Sequence, residues 1–210
     1  MARTKSEQKR LDIIRVAAEL FEELGYERTS MNLVAERLGG SKQTLYNYFR
    51  SKDELLRAVL QLDVSEGVEM IVDAFRGEKT LKKALVRLGA AFLNRRLGGQ
   101  QISNYRIVAS QPAESKLGIE FFETALRPGA ERICHLFEQL MDQGQLKRAK
   151  PWLAVMQWKG LIEQDLFERR LLGTELDQEE IESAAKSGTD AFLTIYGTDS
   201  APRKKSARRA

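Results

Sequence analysis

Residues 29–52 constrain this chain more tightly than any other stretch. They read Thr-Ser-Met-Asn-Leu-Val-Ala-Glu-Arg-Leu-Gly-Gly-Ser-Lys-Gln-Thr-Leu-Tyr-Asn-Tyr-Phe-Arg-Ser-Lys. Ser30 is placed to cap one short helix, because its hydroxyl accepts from an amide left free in the first turn. Met31, Leu33, Val34, Ala35 and Leu38 give that helix an apolar side. Gly39-Gly40 ends it, since a glycine just past a helix takes the left-handed backbone without a Cβ clash. Ser41 caps a second helix, in which Leu45 and Phe49, four apart, share the inward face. Lys42, Gln43, Thr44, Asn47 and Tyr48 are left to face outward.

Two short helices set at a steep angle by a glycine turn make a helix-turn-helix. Close contact between them needs a small residue on the first, and Ala35 supplies it. Gly39 follows four residues later and the buried anchor Leu45 ten residues later. The outward side chains suit a duplex. Gln and Asn bond adenine, Lys reaches guanine or phosphate, and Tyr hydroxyls bond phosphate. The plainer reading is a helical hairpin with a solvated polar face, which spacing alone leaves open.

Residues 44–55, Thr-Leu-Tyr-Asn-Tyr-Phe-Arg-Ser-Lys-Asp-Glu-Leu, resemble the recognition-helix signature of the TetR/AcrR bacterial transcriptional regulators. The wider similarity covers about residues 8–56, with Phe21, Gly25, Thr29, Ala35, Gly39, Ser41, Leu45, Tyr46, Tyr48, Phe49, Ser51, Lys52 and Leu55 in register. One departure is Gly40, where the family's turn usually carries an apolar residue. The resemblance implies an all-α protein with a three-helix N-terminal DNA-binding module and a larger helical ligand-binding and dimerisation domain. On that reading Lys42, Gln43, Thr44 and Asn47 address base edges, with Asn32 reaching in from the preceding helix. Tyr46, Tyr48, Lys52, Ser30 and Ser41 fix the backbone register. Lys52 also starts the next helix, where free amides favour a phosphate.

Charge adds less than the total suggests. The net charge is +4, yet residues 198–210 hold Arg203, Lys204, Lys205, Arg208 and Arg209 against Asp199 alone. Removing those five from 34 basic residues and that one from 30 acidic residues leaves 29 of each in 1–197. A case for DNA must therefore rest on local geometry. The 198–210 stretch reads as a basic, disordered tail, able to add salt-sensitive DNA affinity. A single cysteine forms no internal disulfide, which fits a reducing cytoplasm. No apolar leader or bilayer-length apolar run is present, so a cytoplasmic protein without membrane contact is expected.

Periodicity predicts helices throughout and no alternating strand pattern. Thr4 with Glu7 and Ser51 with Glu54 make capping boxes for the first and fourth helices. The fourth runs from about Lys52 to Phe75, with a bend expected near Ser65 and Gly67. A fifth spans Thr80–Leu97 and a sixth about Gln101–Gln111. A seventh, about Glu114–Leu126, is expected to be separate from an eighth that opens at Pro128. Domains are placed at 1–52 for the DNA reader and 53–197 for the regulatory and dimerisation body. Residues 99–173 resemble the AefR-like type of TetR C-terminal domain through Arg106-Ile-Val-Ala109, Phe121-Phe122 before Pro128-Gly129, and Asp142 to Leu146 before Pro151. Ser110 and Gln111 depart from it.

The last two helices, about 151–172 and 177–196, carry stripes suited to a second copy of the chain. Leu153, Met156, Gly160 and Phe167 mark one; Ile181, Ala185, Gly188, Phe192 and Ile195 mark the other. Small residues let helices approach, and paired hairpins make a four-helix bundle about a two-fold axis. Completing the monomer's own core is the equal alternative by periodicity. The reader tips the balance, because helix-turn-helix dimers match palindromic half-sites.

No catalytic constellation is evident. His135 follows Cys134 directly, and helix neighbours point about 100° apart, so they cannot act as base and nucleophile. One His and one Cys make a zinc site unexpected, and no cofactor is implied. A pocket is the family's implication; Phe92, Tyr105, Phe121, Phe122, Trp152 and Trp158 are aromatic residues able to line one. None is assigned to ligand, and the small-molecule effector is unidentified. The expected function is a homodimeric, ligand-responsive repressor on a palindromic operator in double-stranded DNA. The competing readings are an all-helical small-molecule binder or enzyme with a vestigial reader, and a ligand-independent activator.

Overall fold

The computed structural model describes residues 4–198. Helix α1 (Lys5–Leu24) begins at the Thr4/Glu7 capping box and ends at Gly25, whose φ of 82° only glycine takes cheaply. Helices α2 (Met31–Arg37) and α3 (Lys42–Tyr48) follow, then α4 (Lys52–Ala74), which starts at the Ser51 cap and runs without interruption. Helices α5 (Leu81–Leu97) and α6 (Gly99–Ser110) meet at Gly98. Among the described residues the chain is helical, with no strand and one isolated bridge between Leu146 and Gly197. No described helix is long and apolar enough to cross a membrane.

Helix α7 (Leu117–Phe121) differs from expectation at its far end. A wide π turn (Phe122–Leu126) carries it straight into α8 (Arg127–Asp142), so the seventh and eighth helices are continuous. The physical reason is Pro128. A proline inside a helix has no amide to give and crowds the carbonyl four residues back, and a wider turn relieves both.

The C-terminal hairpin also departs from expectation. Residues 151–172 are not one helix but α9 (Pro151–Glu163) and α10 (Leu166–Leu171), broken at Gln164, which has φ of 50°. Helix α11 (Gln178–Tyr196) packs on α9 and α5. Its stripe is mostly interior: Ile181, Ala185, Gly188 and Phe192 are buried within the chain, and only Ile195 stays exposed. Closeness explains this, since Gly188 sits against the backbone of Leu161 and Ile162. On α9 the picture is reversed. Leu153 and Gly160 are exposed, whereas Met156 and Phe167 (on α10) are partly buried.

The apolar residues form two clusters. One gathers Ile13, Phe21, Leu45, Phe49 and Leu55 with Val64, Val68, Leu117 and Phe121; the other gathers Ile71, Leu88, Phe137, Trp158 and Phe192. Helix α4 contributes to both, so the packing has no seam at residue 52. Gly67 on α4 leaves room for the Arg95 side chain and produces no bend. A Cβ there would lie 2.5 Å from Arg95 Nε.

Candidate nucleic-acid interface and internal cavity

Helices α2 and α3 are braced from below by α1. The buried Thr29 hydroxyl donates to Leu20 O at 3.1 Å and to Gly25 O at 2.9 Å, setting the turn before α2. Ser30 Oγ accepts from Leu33 N at 3.2 Å and Ser41 Oγ from Thr44 N at 3.1 Å, so both are caps. Gly39 turns the chain at φ of 62°, and Gly40 N closes the turn on Ala35 O at 3.2 Å. A Cβ on Gly40 would meet nothing within 4 Å, so the missing apolar residue leaves no internal void.

Leu45 and Phe49 anchor α3 in the core, and the Arg10 guanidinium lies 5.0 Å from the Phe49 ring centre. That burial leaves Lys42, Gln43, Tyr46 and Asn47 exposed along α3, with Ser30 and Asn32 exposed on the start of α2 and Ser41 in the turn. Gln43 Nε2 donates to Asn47 Oδ1 at 3.3 Å, presenting the two amides as a pair. Thr44 and Tyr48 are half-buried instead of fully outward. The Thr44 hydroxyl is 2.9 Å from that of Ser41, and the Tyr48 hydroxyl 3.5 Å from that of Ser6.

Lys52 does not simply point at solvent. Its ammonium donates to Tyr26 O at 2.9 Å and Glu27 O at 3.5 Å, and lies 4.1 Å from the Tyr26 ring centre. The Tyr26 hydroxyl in turn donates to Asp53. Burial, then the Asp53 carboxylate, holds the Tyr26 pKa above the usual phenol range. Nothing in the local spacing pointed to this clasp, because Tyr26 and Lys52 are 26 residues apart.

Behind the reader lies a cavity of about 320 Å³ between α4, α5, α6, α8 and α9, in the size range of small-molecule sites. Phe92, Tyr105, Phe122, Trp152 and Trp158 line it, whereas Phe121 does not and instead packs edge-on against Tyr105 at 5.9 Å. Phe122 and Leu126 reach the wall from the π turn. The polar lining includes Arg95, Arg96, Gln101 and Lys159, which aromatic periodicity gave no reason to select. Arg95 pairs with Asp63, which also accepts from Gln101 Nε2 at 2.7 Å and Asn104 Nδ2 at 3.0 Å. Glu163 is held by Arg96 at 3.3 Å and Lys159 at 2.9 Å.

Cys134 is half-buried, which raises its thiol pKa, and His135 is exposed. Among the described residues no group of three His, Cys, Asp or Glu side chains is placed to hold a metal ion.

Two family models match. Residues 13–59 match bacterial regulatory proteins of the tetR family, and residues 83–198 match the C-terminal domain of AefR-like transcriptional repressors. The HTH-type transcriptional activator FasR of Mycolicibacterium smegmatis is 38% identical over 74 residues, 35% of this chain and 34% of that protein. The match thus spans about a third of that relative's length. Among solved structures, the flavonoid-responsive regulator FrrA has a TM-score of 0.70 at 27% identity, covering 91% of this chain and 99% of that one. A TetR transcriptional regulator from Agrobacterium tumefaciens scores 0.74 at 26% identity over 90% and 95%. A TetR-family regulator from Mesorhizobium loti scores 0.85 at 23% identity over 93% and 100%, a likeness of fold.

Proposed function

The chain belongs to the tetR family of bacterial regulatory proteins, as a DNA-binding transcriptional regulator, and on that premise we propose a homodimeric, ligand-responsive repressor of a palindromic operator. The observation that carries this reading is the exposed row Lys42, Gln43, Tyr46 and Asn47 on a short helix pinned by Leu45 and Phe49. In this reading residues 1–52 are the reader and 53–197 the regulatory body. Lys42, Gln43, Thr44, Asn47 and Asn32 address base edges. Ser30, Ser41, Tyr46, Tyr48 and Lys52 set the register on phosphates, Lys52 through the ammonium hydrogen left over from its two carbonyls. All of the basic 198–210 stretch but Thr198 lies outside the described residues.

Ligand acts by favouring a body whose α4 holds the two readers at the wrong separation. Support comes from the place of α4 in both apolar clusters and from the cavity beside it. FrrA, named as flavonoid-responsive, supports the same picture. Gln43→Ala is expected to relax base preference at one operator position, losing about 1–3 kcal/mol of discrimination there. Selection of operators from a random DNA pool, for wild type and variant, reads this directly. Uniform weakening with unchanged preference would show that Gln43 does not read a base.

The dimer is placed on the outer face of α9 and α11, where Leu153, Gly160, Ala191 and Ile195 remain exposed in the single chain. Replacing Leu153 and Gly160 together by Glu should weaken dimerisation by at least about tenfold, as loss of a buried apolar contact does. Light scattering would then report monomer, and cooperative operator retention should vanish. An unchanged dimer would place the interface elsewhere.

A further inference from the structure

We propose that the cavity's effector is a compact, ring-bearing organic anion whose charged oxygen is taken by Arg95, in competition with Asp63 of α4. The inference rests on the ligand-responsive reading above and names its ligand class and its point of action.

The walls select the ring. Phe92, Phe122 and Trp152 offer apolar faces and edges, backed by the fully buried Trp158, and the lining is predominantly apolar. The unpaired polar atoms select the charge. Arg95 Nε and Trp158 Nε1 are both buried, both in lining residues, and neither has a hydrogen-bond partner. Each is a donor only, so each is satisfied only by an acceptor. Leaving a buried donor unpaired is costly, and native structures rarely do so without a reason. Neither atom is open to the cavity as it stands, so a ligand oxygen meets the Arg95 donor only once that side chain turns inward, and a ligand amine could not satisfy it.

The distribution of charge agrees. Arg95, Arg96 and Lys159 line the space, while the carboxylates that pair with them, Asp63 and Glu163, are outside the lining. Arg127 stands 5.2 Å from the ring centre of Phe122 and 5.8 Å from that of Trp152, two lining rings that are 40% and 38% exposed. That guanidinium is itself paired with Glu123 at 2.8 Å, so the charge rests on the cations of the lining, not on Arg127. Burial also pulls the Arg95 pKa below its ordinary value, a cost that a nearby anion offsets.

Arg95 rather than Arg96 is the cation that ties the cavity to α4. Arg96 is fixed 3.7 Å from the Phe167 ring centre, 4.6 Å from that of Tyr105, and on Glu163. Arg95 reaches across to α4, giving Nη2 to the Asp63 carboxylate and to Asp63 O at 2.8 Å, with Nε over the bare face of Gly67. Asp63 and Gly67 are one turn apart on α4, the helix that follows the reader. A ligand oxygen that draws Arg95 inward takes its donors from α4, and this links occupancy to the position of α3.

The test is calorimetric titration of the full chain with cinnamate, indole acetate and naphthoate, each beside its own primary amide. At least one carboxylate should bind about tenfold or more tightly than its amide, as charge-assisted bonding predicts. Arg95→Gln should erase that preference. Asp63→Asn, which removes the competitor, should tighten the same carboxylate by about threefold or more. Damage to the fold does not produce such a gain. If no carboxylate outbinds its amide, or Arg95→Gln keeps the preference, the ligand class is wrong. If Asp63→Asn fails to tighten binding, the competition is wrong. Operator retention without ligand is measured in parallel; its absence overturns the regulator reading alone, and the carboxylate preference stands or falls separately.

Discussion

Gly188→Val is expected to cost about 3 kcal/mol or more of stability, at the upper end for overpacked sites. A Cβ at this position would lie 2.7 Å from both the Cα and the N of Ile162. Those are backbone atoms of α9, so no rotamer change relieves the overlap, and α9 and α11 must move apart. Trp158, fully buried on α9 with edge contacts to Phe92 and Phe137, would move with them and open the cavity. Gly160→Ala is the control on the same helix pair. Its Cβ meets nothing within 4 Å, and alanine exceeds glycine in helix propensity by about 1 kcal/mol. Urea unfolding followed by circular dichroism measures both. A Gly188→Val midpoint close to wild type would contradict the close helix approach.

Arg96→Leu should cost about 3 kcal/mol, the order seen when one member of a buried ion pair is removed. Glu163 is 6% exposed and would keep only Lys159, whose side chain is 33% exposed. The loss reaches further than one pair. The Arg96 guanidinium also covers the rings of Tyr105 and Phe167, so its removal loosens α5 from α6 and α10 together. Lys159→Met leaves the Arg96 pair intact and should cost only about 1 kcal/mol, as partly exposed pairs do. Thermal unfolding of the two variants gives the comparison. Equal losses would mean that Glu163 depends on both cations alike, against the burial that separates them.

The DNA-reading end was legible because its signals are local. Caps at Ser30, Ser41 and Ser51, the turn at Gly39, and the four-residue spacing of Leu45 and Phe49 each act within one or two helical turns. The structure has all of them in place. The clasp of Lys52 on the Tyr26 carbonyl was not legible, and neither was the Asp63 network, since their members meet across 26 to 41 residues. Periodicity left the partner of the α11 stripe undecided. Ile181, Ala185 and Phe192 would look the same whether they met another chain or, as they do, α5 and α9.

By itself, the amino-acid sequence determined that this chain is all-helical, where most of its helices start and stop, and which family it belongs to. Those properties are written in short-range hydrogen bonding, backbone freedom and apolar period. Only the tertiary structure decided that the seventh and eighth helices run on through a π turn, and that residues 151–172 break at Gln164. It also decided which small residues serve close packing inside the chain, and it brought Arg95 and Trp158 to one cavity with Asp63 paired to Arg95 outside it. Those outcomes depend on which helix faces meet, and a meeting of distant faces leaves no mark in the spacing along either one.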